Sequence, residues 1–363
     1  MTSLLKPFLV VEMAGPEAPL AHRLAIGIAG RIAADLGARV IKIVPPEGDP
    51  IVRTPVVPHE RSDNAVALSA VIDASKTLLP LDLQSADGQA DRDRLLALAS
   101  GLLTDAHRPF SGETKRRVDV AVRVLPTDDL LAKNDPSELT VLALSGLLDL
   151  IGDPQRAPLA FGGHQVAYAS GFAAFTALMG GLASNSSRRL DIDLLDVMVW
   201  INWKGVGTPA FRPGANLSRE GRRAEWQVLP CADGHIALVH SEKDWRPLAE
   251  LIGHPDLLDP ELTSLLGREK HRERYIPIIA AWVAARSREE IYRAAQSRGI
   301  PIGPVVLPGE FGGDPQFAAR NVVGSFDYEG RTINLPRLPI RWNGASFEAR
   351  APRHAKSLQE ALG

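Results

Sequence analysis

The chain has 363 residues, of which 45% are hydrophobic and 23% are charged, the balance of an ordinary soluble globular protein. Its 41 basic and 43 acidic side chains leave a net charge of −2, so there is no global field that would attract nucleic acid or an anionic membrane. Because Cys231 is the single cysteine, the chain cannot form an intrachain disulfide or a cysteine-rich zinc site. The sequence also shows no motif of clustered metal ligands.

The first fifty residues predict a βαβ unit. Phe8–Val11 is a short apolar strand, and a helix of small and apolar residues with 3.6-residue spacing follows it and ends at Gly37. The chain then enters a second strand, Arg39–Val44, which stops at a double proline. Gly27, Gly30 and Gly37 do not have the G-x-G-x-x-G spacing of a dinucleotide site, so the sequence does not predict an NAD enzyme.

Strands and helices continue to alternate as far as residue 200. The predicted strands are Leu78–Leu83, Val118–Val124 and Arg189–Leu195, and the predicted helices are Arg92–Ser100, Leu139–Leu150 and Val166–Leu182. This order predicts an α/β fold with an open parallel, Rossmann-like sheet. The helix Val166–Leu182 is rich in Ala and Gly and slightly short for a membrane span, so we expect a buried core helix. No signal-peptide pattern is visible at the N-terminus, so we expect a cytoplasmic protein.

The amino-acid composition of the chain changes after residue 203. Gly, Pro and Arg are frequent in Lys204–Arg223, which predicts a linker or a mobile loop over residues 204–223. A hairpin-like pair of strands then spans Gln227–Val239 around an Asp-Gly turn, and three helices follow it. We therefore expect a large α/β domain over residues 1–203 and a smaller α+β domain over residues 224–334.

Seven segments in order carry a resemblance to a known family. They are AGR-x-x-ADLGA-x-VIK-x-x-PPEGDP at residues 29–50, Lys76–Leu83, Glu138–Gly146, Ile151–Pro158, Asp244-Trp245, Gly299–Val305 and Asp314–Arg320. The chain resembles the family III CoA-transferases of the CaiB/BaiF type, which include formyl-CoA transferase and the α-methylacyl-CoA racemases. The resemblance implies that residues 335–363 return to the large CoA-binding domain and that two chains interlock as a dimer. It also implies an enzyme that moves CoA between carboxylic acids, with acyl-CoA and a carboxylic acid as partners and no tightly bound cofactor.

This chain differs from the family at the position of the nucleophile. In formyl-CoA transferase an aspartate stands four residues before a glycine at the start of the long apolar helix, and here that glycine is Gly171 and the residue is Ala167. An alanine methyl group cannot form an acyl anhydride. Three alternatives remain open: another acid acts, the protein is an acyl-CoA racemase, epimerase or isomerase, or it is the non-catalytic subunit of a hetero-oligomer.

Glu138 is the best substitute for the missing acid. By resemblance it matches a glutamate near the active site of formyl-CoA transferase and the catalytic aspartate of the racemases, and in the racemase alternative it is the base. From the residues alone, Glu138 also fits a helix N-terminal carboxylate that the helix dipole favours. His164 and Gln165 follow Gly162-Gly163 in a turn that enters the apolar helix. His164 is either a second proton-transfer group or part of a helix-capping turn.

The resemblance also implies the residues that contact CoA. By position they are Leu24, Ala25, Lys42, Pro45, Leu83, Gln84, Asp105, Ala106, Lys115 and Arg116. Two basic positions of the family are replaced here by Pro45 and Thr77. Because each lost phosphate contact weakens binding, we expect a lower affinity for CoA than in the family.

Overall fold

The computed structural model describes residues 4–53, 63–105, 118–125, 137–153, 155–184, 188–211 and 226–363. The chain divides into two units, a large unit of Met1–Ser218 with Phe317–Gly363 and a small unit of Arg219–Gln316.

Strands and helices are numbered here in chain order. The strands are β1 (Leu9–Met13), β2 (Arg39–Val44), β3 (Thr77–Pro80), β4 (Gly101–Asp105), β5 (Val118–Arg123), β6 (Arg188–Asp193), β7 (Trp226–Cys231), β8 (Gly234–Val239), β9 (Ile302–Pro304), β10 (Val323–Tyr328), β11 (Arg331–Pro336), β12 (Arg341–Trp342), β13 (Ala345–Ser346) and β14 (Arg353–His354). The helices are α1 (Leu20–Asp35), α2 (Asp63–Ile72), α3 (Ala86–Leu98), α4 (Glu138–Leu144), α5 (Gln165–Ala183), α6 (Leu194–Ile201), α7 (Trp203–Phe211), α8 (Glu242–Ile252), α9 (Leu265–Lys270), α10 (Arg272–Ala284), α11 (Arg288–Gln296), α12 (Pro315–Arg320) and α13 (Leu358–Leu362).

The large unit is built on a parallel sheet of seven strands in the order β14-β3-β2-β1-β4-β5-β6. Strands β1 to β6 alone follow the doubly wound order 3-2-1-4-5-6, which confirms the predicted α/β class. Strand β14 pairs with β3 and brings the C-terminal segment to the outer edge of this sheet. Two further pairs of antiparallel strands, β10–β11 and β12–β13, also belong to the large unit.

Helices cover both faces of the sheet, which explains why most side chains of its central strands are apolar and buried. Val10 of β1 belongs to one core with α1 and α5, whereas its neighbours Leu9 and Val11 belong to a second core with α3 and α13. Helix α5 is long and apolar enough to cross a membrane by length and composition. It packs against α1 instead, so closely that a Cβ on Gly171 would lie 2.9 Å from the carbonyl oxygen of Ala25. The side of α5 that faces α1 belongs to the core, as the sequence predicts, although only 39% of its apolar stretch is buried.

Two predictions for this unit need correction. Residues 204–211, assigned to a linker, belong to helix α7, and residues 212–223 of that segment lie outside the described residues. Gly205 suggested a linker, but it lies in α7 beside the side chain of Asn202, the residue that ends α6, and a Cβ there would lie 2.5 Å from Asn202 Oδ1. The helix predicted over Leu139–Leu150 stops at Leu144, because Gly146 adopts a φ of 75° that ends the helix.

The small unit combines an antiparallel sheet with helices. Strands β7, β8 and β9 pair in that order, with Cys231 and Gly234 paired across the predicted Asp-Gly turn. Helices α8, α10 and α11 cover the sheet and supply most of its core, in which Trp245 and Tyr275 meet edge to face with ring centres 5.1 Å apart. Capping boxes at Ser241 and Ser287 fix the first turns of α8 and α11.

Candidate active site and coenzyme cleft

Glu138 and His164 form a pair between the first residue of α4 and the residue that precedes α5. Helix α4 starts at Glu138 because the Ser137 hydroxyl accepts a hydrogen bond from the Thr140 amide at 3.3 Å. His164 turns the chain into α5 with left-handed backbone angles (φ 58°, ψ 41°). Its Nδ1 lies 2.6 Å from Glu138 Oε2.

The second oxygen of the same carboxylate closes the start of α5. The backbone N–H of Ala167 donates to Glu138 Oε1 at 2.9 Å. Helix N-terminal amides favour a negative charge, so the carboxylate of α4 serves as a cap for α5. Since Nδ1 of His164 faces Glu138, Nε2 is the ring nitrogen that can exchange a proton with a ligand. About one fifth of each side chain is exposed, 20% for Glu138 and 22% for His164, so small molecules can reach the pair.

Neither Ala167 nor Gln165 adds a reactive side chain to this pair. Ala167 is fully buried, and its side chain carries no functional group at the position where the family resemblance expects a nucleophile. Gln165 lies next to His164, but its side-chain amide donates to the Gly162 carbonyl at 3.1 Å and so closes the turn before the helix. The structure therefore brings Glu138 and His164 into contact and leaves Gln165 to shape the turn.

An open cleft of about 360 Å³ lies at the carboxyl ends of β1, β2 and β3. Its lining consists of Met13, Ala14, Pro16, Ile43, Val44, Pro45, Pro46, Glu47, Leu81, Asp82, Leu83 and Gln84. Pro45, Leu83 and Gln84 are three of the predicted CoA contacts. The other lining residues were not predicted, although residues that follow parallel strands are the usual ligand contacts in open α/β sheets.

The loop after β1 forms one side of this cleft. Arg23 of α1 holds it, because its guanidinium donates to the carbonyl oxygens of Gly15, Pro16 (2.6 Å) and Ala18 (3.0 Å). Asp105, another predicted contact, is buried at the end of β4 and accepts the Gly15 amide at 3.2 Å. Asp105 thus ties the end of β4 to the loop after β1 at the point where the strand order reverses.

The remaining predicted contacts are buried or lie outside the described residues. Leu24 and Ala25 are fully buried in α1, and Lys42 is 6% exposed. Burial by itself would lower the pKa of Lys42, but Asp73, Asp49 and Glu12 around its ammonium outweigh burial and raise that pKa above its ordinary value. Ala106, Lys115 and Arg116 lie outside the described residues. Within the described ranges, no group of three His, Cys, Asp or Glu side chains is placed to hold a metal ion.

Known proteins match this chain over most of its length. Residues 19–107 and 133–356 match the family described as CoA-transferase family III. A succinate–glutarate CoA-transferase of Agrobacterium fabrum is 26% identical over 355 residues, covering 88% of this chain and 86% of the relative. The BbsE subunit of a succinyl-CoA:(R)-benzylsuccinate CoA-transferase from Thauera aromatica is 26% identical over 398 residues, covering 98% of this chain and 92% of the relative.

Two solved structures share the fold. A CaiB/BaiF family protein from Brucella suis has a TM-score of 0.81 at 22% identity and covers 98% of this chain and 97% of its own. The protein Rv3272 from Mycobacterium tuberculosis has a TM-score of 0.79 at 18% identity, with 99% of each chain covered. Because the family match spans most of the sequence, the chain belongs to CoA-transferase family III.

Proposed function

We propose that this protein moves CoA between carboxylic acids and that Glu138 replaces the missing nucleophile at position 167. The observation that carries the proposal is the 2.9 Å hydrogen bond from the Ala167 amide to Glu138 Oε1. Because of this hydrogen bond, the Glu138 carboxylate lies at the start of α5 beside Ala167. In the family that the sequence resembles, the residue at that position is the nucleophile. The similarity to relatives named as CoA-transferases supports the reaction class.

The reaction then proceeds through two carbonyl exchanges on Glu138. Its carboxylate attacks the thioester carbonyl, the C–S bond breaks, and a mixed anhydride and CoA thiolate form. The thiolate attacks the Glu138 carbonyl of the anhydride, which releases the first acid and leaves a glutamyl-CoA thioester. The acceptor carboxylate then attacks the carbonyl of the glutamyl-CoA thioester, which forms a second mixed anhydride and releases the CoA thiolate. The thiolate attacks the acceptor's carbonyl in that anhydride, so the acceptor leaves as its CoA thioester and Glu138 returns as a carboxylate.

The neighbours of Glu138 have supporting roles in this scheme. His164 orients the carboxylate through Nδ1, and its Nε2 is within the same partly exposed site. The amides of the first turn of α5 would stabilise the oxyanion that forms in each attack. Gln165 keeps the turn that presents His164 in place through Gly162.

CoA recognition falls to the cleft beside β1, β2 and β3. We assign its adenosine part to the walls that contain Pro45, Leu83 and Gln84. Lys115 and Arg116 remain the candidate contacts for the phosphates and Ala106 a further candidate contact of CoA, although all three lie outside the described residues. Asp105 is buried and would act on the ligand through the loop after β1, whose Gly15 amide it accepts, whereas Leu24 and Ala25 are buried in the core of α1.

Trapping the intermediate tests the proposal. The intact chain is incubated with an acyl-CoA, quenched, and examined by peptide mass spectrometry with and without hydroxylamine. We expect a hydroxylamine-sensitive adduct on the peptide that contains Glu138, and none in Glu138→Gln. Turnover without an adduct on Glu138, or an adduct on another acid, would contradict the assignment.

A second candidate is favoured by Ala167 itself. The chain would be a non-catalytic subunit whose sibling carries the nucleophile, as the similarity to a protein named as a subunit suggests. In that case the purified chain alone forms no adduct and exchanges no CoA. It would gain activity only on mixing with a homologous chain that has an acid at this position.

We also propose that the protein is cytoplasmic and that a second copy, or such a sibling, covers helices α6 and α7 of the large unit. Trp200, Trp203 and Phe211 are 82%, 66% and 88% exposed there, which is an unusual amount of apolar surface for a monomer. Sedimentation velocity of the purified chain would distinguish a homodimer from a monomer that awaits a partner.

A further inference from the structure

Five ionisable side chains, here called the ion cluster, lie buried beside the coenzyme cleft. They are Glu12 of β1, Lys42 of β2, Asp49, Asp73 and Lys76, each at most 7% exposed. None of them has a role in the chemistry proposed above. Buried charges are costly unless they are paired, so the contacts that pair these five side chains need to be explained.

Lys42 is the centre of this cluster. Its Nζ lies 2.7 Å from Asp73 Oδ1 and 3.5 Å from Glu12 Oε1, and it makes an even shorter contact with Asp49. Lys76 holds the other oxygen of Glu12 at 2.6 Å and donates to the Gly27 carbonyl at 2.8 Å. If Lys42 turned towards a phosphate in the cleft, it would leave three buried carboxylates with one lysine fewer. A direct contact between Lys42 and CoA is therefore unfavourable.

Asp49 links the cluster to the loop that follows β2. Burial by itself would raise the pKa of Asp49, but the Lys42 ammonium and the Ile51 amide, which donates at 2.9 Å, hold that pKa below its ordinary value. The carboxylate is therefore ionised and bound to Lys42. Within the loop, the Gly48 amide donates to the Pro45 carbonyl at 2.9 Å, and Gly48 has a φ of 96°. The loop is thus fixed at one end by β2 and at the other by the pair of Asp49 with Lys42.

The same loop is a wall of the cleft. Pro45, Pro46 and Glu47 line the cleft on one side. A small cavity on the other side is lined by Glu12, Lys42 and Asp49, together with residues that also line the cleft. Those shared residues are Ala14, Ile43, Val44 and Pro45. A single layer of residues therefore separates the ion cluster from the ligand space.

We propose that the ion pair of Lys42 and Asp49 is a positioning element that keeps the wall Pro45–Glu47 in the shape that receives CoA. The identity of the ligand rests on the proposed function, whereas the restraint on the loop does not. If the wall is already ordered before CoA binds, binding does not have to include the loss of conformational entropy of this loop, and the affinity is higher. Lys42 thus acts on CoA through the loop rather than by touching a phosphate.

Two matched variants of the full chain test this role. Asp49→Asn keeps the shape and removes the charge that binds the loop, whereas Asp73→Asn removes a charge from the same Lys42 without touching the loop. We expect a lower unfolding temperature in both. Only Asp49→Asn should show amide hydrogen exchange that is about tenfold faster at Gly48 and Val52, and an affinity for CoA that is about tenfold weaker by calorimetry, with kcat at saturation within about twofold of wild type.

Several outcomes would overturn the proposal. Unchanged exchange at Gly48 in Asp49→Asn would do so, as would equal losses of CoA affinity in the two variants, since that pattern indicates a general loss of stability. A wild-type chain that binds no CoA would count against the proposed function instead. The exchange rates, which need no ligand, would then decide the role of the ion pair.

Discussion

Glu138 and His164 meet through a 2.6 Å contact between Oε2 and Nδ1, although 26 residues separate them along the chain. His164 makes this contact from a left-handed backbone conformation, which is uncommon for a residue with a side chain. Local strain of this kind persists where the surrounding structure imposes it, and it is frequent at functional sites. The pair is therefore the centre of the candidate site.

The first prediction concerns His164. His164→Ala removes the donor to Glu138 and should lower the rate of CoA transfer by about a hundredfold. His164→Asn keeps a side-chain donor, and Asn tolerates the left-handed region, so it should retain much more activity. Initial rates with one acyl-CoA and one acceptor acid measure both. Equal activity of the two variants would show that neither the side-chain donor nor the left-handed backbone at position 164 contributes to the reaction.

The second prediction concerns the vacant side-chain position at Ala167. Glu138→Gln should lower CoA transfer by at least about a thousandfold, because an amide cannot replace the nucleophile. Adding Ala167→Asp to that variant returns one carboxylate to the start of α5, where the helix dipole favours it. We expect the double variant to regain a covalent adduct, now on the peptide that contains position 167. A double variant that binds CoA but forms no adduct would show that the substrate carbonyl does not reach this helix end.

The sequence predicts the central βαβ unit well, because 3.6-residue spacing and β-branched runs are local signals that burial in the sheet reinforces. It does not predict helix α7, because Gly205, Gly207 and Pro209 in that helix are residues typical of loops. The family resemblance makes Lys42 a predicted CoA contact, and in the structure Lys42 lies in a cluster with Asp73, 31 residues away, which no local pattern reveals. Glu138 and His164 are found from the motifs, but their contact depends on how α4 and α5 pack.

The third prediction separates CoA transfer from racemase chemistry. Inversion at the α-carbon needs one group to remove a proton and another on the opposite face to return it. Glu138 and His164 are bonded to each other and so act from one side. A 2-methylacyl-CoA incubated with the protein in D2O should therefore keep its α-proton at the rate of the enzyme-free control, as NMR would show. Deuterium uptake that disappears in Glu138→Gln would instead identify Glu138 as the base of an isomerase.

The fourth prediction uses the pH dependence of the small unit. The hydrogen bonds from Arg288 and from the Leu307 amide lower the pKa of Glu310 to about 2. Since this value is below the ordinary one of 4.5, the pair stabilises the fold fully above pH 4.5 and loses its effect as the pH falls towards 2. Glu310→Gln should lower the unfolding temperature by about 2–4 °C at pH 7 and by less as the pH approaches 2. Glu250→Gln, which removes the exposed pair with Arg246, should have a smaller effect at neutral pH.

The fifth prediction tests why the opening motif of the chain contains glycine. A Cβ on Gly30 of α1 would lie 2.3 Å from Glu12 Oε2, an atom that Lys76 holds in the buried ion cluster. The carboxylate cannot move aside without breaking that ion pair, so Gly30→Ala should destabilise the protein by about 1–3 kcal/mol in spite of the better helix propensity of alanine. Gly180 of α5 is the matched control, because it is exposed and a Cβ there meets nothing within 4 Å.

Gly180→Ala should accordingly stabilise the protein by about 0.5–1 kcal/mol. Urea unfolding of both variants measures the difference. If Gly30→Ala were as stable as Gly180→Ala, the ion cluster would have room to shift, and the glycine would reflect helix packing alone. A loss confined to Gly30→Ala would show that this glycine, which has the wrong spacing for a dinucleotide fingerprint, provides the space in which the ion cluster forms.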